Sequence, residues 1–167
     1  SMPVDTFDPW AVLAAAAVRT ERITLGAMVF ALPRRKPWEV VRQALTVDHL
    51  SGGRRVLPGG GGARDAGGAA AGPAQPQSQR ERAELLDDAL AYLDRAWTGE
   101  RSTIEGTHVR TGEMQFLPRP VERAVVGHHV PVWPVGVWDA ERPPARSLGR
   151  SLRGGGLVLQ LRGDRGF

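Results

Sequence analysis

The sequence has no cysteine among its 167 residues. That excludes disulfides, thiolate metal sites and a cysteine nucleophile together, so packing alone must hold the fold. It also lacks any uninterrupted apolar run of about 18 residues, the length a bilayer-crossing helix needs. The alanine-rich stretch Ala11 to Val18 is too short for that and has no basic flank of the signal-peptide kind. A cytoplasmic chain with no membrane partner is therefore expected. Aromatic residues are few, at 6% with a single tyrosine, but 41% hydrophobic content is enough for one soluble globular domain over residues 1–167.

Glycine and proline are abundant, 21 and 13 residues, and they are unevenly placed. From Pro58 to Gln79, "PGGGGARDAGGAAAGPAQPQSQ" has almost no large side chain to bury, which predicts a mobile loop over 58–79. A second biased stretch is the Arg/Gly tail 146–167. The 22 basic residues against 18 acidic ones give a net charge of +4, which favours anionic partners such as phosphate groups. Nucleic-acid binding through Arg146 to Arg165 is the weakest of the functional readings and is disfavoured.

Asp8 before Pro9 is a helix start, followed by the stripe Trp10, Leu13, Ala14, Ala17 and Val18. "ERITLGAMVF", Glu21 to Phe30, reads as a strand buried on both faces of a parallel sheet. A helix over Pro37 to Leu50 turns Trp38, Val41, Ala44, Leu45 and Val47 inward, and Gly52 or Gly53 ends it. A short strand at Arg55 to Leu57 precedes the glycine run. "RERAELLDDALAYLDRAWTGE" is the strongest helix, with Leu86, Leu90, Leu93 and Trp97 on its apolar face. "STIEGTHV" suits a hairpin turning at Glu105-Gly106, "HVPVWPVGVW" and "GGLVLQL" suit strands, and "ERPPARSLGRSL" between them is a weak helix. This alternation predicts an α/β fold with about four parallel strands and outer helices.

Several of these segments, "DPWAVLAAAAVRTERITLGAMV", "PRRKPWEVVRQALTVDHLSGGR", "RERAELLDDALAYLDRAWTGE", "EGTHV" and "FLPRP", resemble in order and spacing the bacterial luciferase-like family of flavin- or F420-dependent monooxygenases and oxidoreductases. The resemblance covers roughly Asp8 to Val137. It implies a TIM-type (β/α)8 barrel with FMN or F420 at the C-terminal strand ends, of which this chain holds a partial barrel corresponding to the third to sixth strands. Such a half-barrel has two open sheet edges, so self-association into a homodimer or higher oligomer is expected.

The resemblance also implies where a flavin would lie. Gly26, Ala27, Met28 and Val29 match the place where many family members carry a non-proline cis peptide behind the isoalloxazine ring. Arg34, Arg35 and Lys36 follow at the mouth of the same strand, facing a cofactor phosphate, an acidic tail or simply solvent. Gly59 to Gly62, with Gly59 and Gly60 foremost, offer backbone N–H groups to a phosphate or serve as a plain linker; without a following Lys-Ser/Thr the run is not a P-loop. Trp133 flanks the ring or packs in the core. His49 near a helix end reads as structural. Asp87 and Asp88 read as a wet helix face, and the adjacent pair His128-His129 points apart in extended chain, so no metal site is expected.

No residue is an obvious acid or base. The implied function is a luciferase-like flavin- or F420-dependent oxidoreductase or monooxygenase acting on a small organic substrate, with a non-catalytic flavin-binding or structural dimer as the alternative.

Overall fold

The computed structural model describes residues 7–62, 78–122, 129–138, 148–150 and 155–161. Along the chain run helix α1 (Pro9–Arg19), strand β1 (Phe30–Ala31), helix α2 (Pro37–Leu50), strand β2 (Leu57–Gly60) and helix α3 (Gln79–Ala96). The hairpin strands β3 (Ser102–Glu105) and β4 (Arg110–Met114) follow, then β5 (Val132–Trp138) and β6 (Val158–Leu161). Strands β1, β2, β5 and β6 form one sheet in that order, every pair parallel. Order in the sheet thus follows order in the chain. A doubly wound sheet reverses partway and carries helices on both faces, whereas a sheet wound in one direction keeps them on one face and curls toward a barrel.

Local signals set the helices. The Asp8 carboxylate accepts the N–H groups of Trp10 and Ala11 at 2.9 and 3.0 Å, and Pro9 begins α1. Trp10, Leu13 and Ala17 are buried, but Val18, expected on the same stripe, faces solvent. At the C-terminus of α2, Gly52 donates to the His49 carbonyl and Gly53 to that of Asp48, both glycines having positive φ. That double bond pattern needs left-handed backbone, so both glycines serve, where the sequence suggested one. Ser78 caps α3 by accepting the Glu81 N–H at 3.0 Å.

Helices α2 and α3 cover one face of the sheet. Leu57 and Val132 pack there with Leu32, Val40, Val41, Leu93 and Trp97 in a single core. Burying each such side chain is worth about 1.5–3 kcal/mol.

Two stretches differ from the expectation. The segment Glu21 to Phe30 is not a continuous strand: Leu25 bridges Arg55, and pairing resumes only at Phe30 opposite Gly59. Leu25 to Phe30 is one residue longer than the stretch it faces. The Val56 N–H donates to Leu25 and the Leu57 N–H to Pro131, so backbone donors alternate between the two neighbouring strands. The next donor toward β1 would come from Pro58, which has no N–H. Gly26 to Val29 is left outside the ladder as a consequence.

The glycine run also begins differently. Pro58, Gly59 and Gly60 are not loop but the buried body of β2, and the strand is Leu57–Gly60 rather than Arg55 to Leu57. Glycine is there because neighbours approach closely: a Cβ on Gly59 would lie 2.7 Å from the Leu32 Cδ1, and one on Gly60 3.1 Å from the Val135 Cγ2. At the other end of the expected loop, Ser78 and Gln79 belong to the start of α3. Residues 63–77 lie outside the described residues, as does most of the Arg/Gly tail.

Asp87 and Asp88 do more than face water. Arg150 grips Asp87 with two bonds, Nε to Oδ1 at 2.7 Å and Nη2 to Oδ2 at 2.9 Å. Asp88 accepts the N–H groups of His108 and Val109 at 2.6 and 3.0 Å, fastening the hairpin turn to α3. Glu84 adds a 2.9 Å contact to His108 Nε2 and a 2.7 Å bond from Arg80. Those two partners, Arg80 first, hold the Glu84 carboxyl below the usual carboxylate range.

Candidate flavin cleft

The segment left out of the ladder leads into a cleft of about 650 Å³. Ala27, Met28 and Val29 form one wall, with Met28 82% exposed. The peptide bond between Met28 and Val29 is cis. After β1 a single 3-10 turn over Leu32–Arg34, closed by the Arg35 N–H on the Leu32 carbonyl at 3.0 Å, carries the chain across the strand end. Arg35 and Lys36 are then extended until Pro37 opens α2. Arg34, Arg35, Lys36 and Glu39 also line it, so the cleft combines an apolar wall with a cationic rim.

The rim is anchored by a column of side chains that runs into the core. The Arg35 guanidinium lies 5.7 Å from the Phe30 ring centre, and Phe30 stacks on Trp10 at 4.4 Å. Buried Arg55 sits 5.4 Å from the other end of the column, over Trp10, with its Nε bonded to the Ala44 carbonyl at 3.0 Å. Cation–π and offset ring contacts of this kind are worth about 0.5–2 kcal/mol each.

The structure brings together Ala27, Met28, Val29, Arg34 and Arg35, and it sets Gly60 beside them, where an added Cβ would be 3.9 Å from Val29 Cγ2. Gly59 faces the opposite way, under Leu32 in the helix-covered core. Trp133 lies further along the sheet, against Gly156 and outside the cleft lining. His49 is structural, its Nε2 2.7 Å from the Arg119 carbonyl. His129 lies on the helix side with Asp87, Asp94 and Arg150, and His128 falls outside the described residues.

Two further participants escaped the reading of the sequence. Glu39, three residues after Lys36 and 3.7 Å from it, carried a signal in its i,i+3 spacing at a helix start. Phe7 at the cleft edge carried none. Gly62, the last glycine of the run read as a possible N–H donor, has φ of +73° and the Arg34 side chain against it.

The sequence model of the luciferase-like monooxygenase family matches residues 1–140. The chain belongs to that family. Among its relatives, an F420-dependent glucose-6-phosphate dehydrogenase of Intrasporangium calvum is 36% identical over 163 residues, covering 88% of this chain and 45% of that protein. The chain thus spans about half the length of that relative. Among solved structures, the coenzyme F420-dependent tetrahydromethanopterin reductase of Methanopyrus kandleri superposes with a TM-score of 0.73 at 21% identity, over 92% of this chain and 44% of that one. The oxygenating constituent of 3,6-diketocamphane monooxygenase from Pseudomonas putida, in complex with FMN, gives 0.65 at 20%, over 90% and 42%. These likenesses establish the fold as part of a family (β/α)8 barrel, and F420 and FMN are the cofactors found among these proteins. Among the described residues no helix is long and apolar enough to cross a membrane.

Proposed function

We propose that the cleft seats the ring of reduced FMN or F420 against the Ala27-Met28-Val29 wall, in a flavin- or F420-dependent oxidoreductase acting on a small organic substrate. The carrying observation is the cleft itself: at the C-terminal end of a parallel sheet, where barrels of this kind place their chemistry, an exposed apolar wall meets Arg34 and Arg35. The donor set fits such a group, since a flat ring needs apolar surface and its phosphate needs cations. A bound flavin would supply hydride or oxygen chemistry. Met28 and Val29 orient the ring, while Arg34 and Arg35 hold the anionic side chain. Glu39 is the one acid lining the cleft among the described residues, and Lys36 is its partner.

The same reading has the half-barrel completed by a second copy. All four strands point one way, so a two-fold axis parallel to them leaves every strand direction unchanged. The β6 edge of one copy then meets the β1 edge of the other in parallel, and two sheets of four make the eight strands a barrel requires. The sheet face away from the helices would become the lumen. Cytoplasmic residence accords with this picture.

Absorbance of the purified protein, alone and after addition of FMN or F420, tests the cofactor reading. Retention or uptake of either supports it; uptake of neither sinks it. Binding without turnover of any reduced cofactor would favour the non-catalytic dimer.

A further inference from the structure

Methionine is scarce in this chain, three residues in all, and Met28 and Met114 stand in opposite surroundings. Met114 ends hairpin strand β4 with its side chain packed against the core, and the Tyr92 hydroxyl donates to its Sδ at 2.9 Å. Oxygen transfer to a thioether needs an open sulfur lone pair and room for the oxidant to approach it. Met114 is short of both. Met28 has both, being 82% exposed on the wall of a cleft of about 650 Å³, far more room than a peroxide molecule needs.

The position also gives the modification a consequence. Ala27 and Val29, the other members of that wall, carry no side-chain donor, so an oxygen added to the Met28 sulfur finds no partner beside it there. Water satisfies that oxygen while the wall is open. A flat ring laid over it would strip the water away, and a polar group covered without a hydrogen bond is costly.

We propose that Met28 is a site of reversible sulfoxidation, with hydrogen peroxide as oxidant, and that the sulfoxide turns the cleft wall from apolar to polar and weakens ring binding. The sulfur lone pair attacks one peroxide oxygen; the S–O bond forms, the O–O bond breaks, and the second oxygen takes up the proton and leaves as water. Sulfur gives up two electrons and the peroxide gains them. The modification itself stands on the exposure of Met28, whereas its effect on binding rests on the flavin reading above.

The test treats the full chain with hydrogen peroxide, removes the excess with catalase, and follows each methionine by mass spectrometry; the three lie on separate tryptic peptides. Met28 should gain oxygen at least about tenfold faster than Met114 in the folded chain, and the two rates should converge in urea. Equal rates in the folded chain, or a faster Met114, would overturn the site. A second arm titrates FMN and F420 by absorbance before and after oxidation. The oxidised chain should bind at least about fivefold more weakly. Treatment with methionine sulfoxide reductase should restore the starting affinity, and the affinity of Met28→Leu should be the same before and after peroxide. Selective oxidation without a change in affinity, or a loss that persists in Met28→Leu, would overturn the effect on binding and leave the flavin reading standing. If neither cofactor binds the untreated chain, the flavin reading and that effect fall together, and the peptide rates alone decide the modification site.

Discussion

The two faces of one sheet differ more than any other two regions of the molecule. On the helix-covered face Leu57 and Leu93 have no exposure and Trp97 has 1%. On the other face Val29 and Val137 retain 39% and 46%. The residue types are alike on both sides; only the covering differs. Apolar side chains left open on a sheet with free edges are an interaction surface or an aggregation hazard. The lesson is that stability and assembly are separable here: one face makes the fold and the other is available for a partner.

Substitutions can break that contrast in order of expected size. Trp97→Ala or Leu93→Ala on the covered face should cost about 3–5 kcal/mol in urea denaturation, through lost transfer energy and a cavity. Gly59→Ala should cost about 1–3 kcal/mol, because the new Cβ must displace the fully buried Leu32. Gly60→Ala comes closest to Val135, on the open face at 3.1 Å, and should cost less than Gly59→Ala. Val137→Asp, also on the open face, should change the stability of the dissociated chain by about 1 kcal/mol or less, yet abolish self-association. A larger loss of stability than for Gly59→Ala would erase the distinction between the faces.

The smallest effect concerns Tyr92 on α3, the single tyrosine of the chain. Burial pushes its hydroxyl up to about 12, with the charge of Arg42 opposing, and the hydroxyl contacts Met114 Sδ at 2.9 Å. The folded value lies above the unfolded one of about 10. Its contribution to stability is thus fully present below pH ~10 and is lost as pH rises through about 12. Absorbance titration reads this group alone, and Tyr92→Phe should remove that part of the alkaline destabilisation.

The helices were legible because their signals are local. Asp8-Pro9, Pro37 and Ser51-Gly52-Gly53 each lie within a turn of the boundary they set, and α2 runs over Pro37–Leu50 as the pattern predicts. Strand β2 was not legible, since Gly59 and Gly60 are dictated by Leu32 and Val135, distant in sequence. Nor could Glu21 to Phe30 reveal its break, which arises from the proline of a neighbouring strand. The same division runs through the cleft. Ala27, Met28, Val29, Arg34 and Arg35 are close along the chain and stay together in space. Which face Gly59 and Trp133 occupy depends on strand parity, which one residue of register reverses.

The account turns on whether the open face is closed by a second copy of the chain, and sedimentation equilibrium of the 167-residue protein across micromolar concentrations measures that directly. A species of twice 18.0 kDa, converted to the single chain by Val137→Asp, is expected. A folded, monodisperse species of 18.0 kDa at every concentration would contradict it.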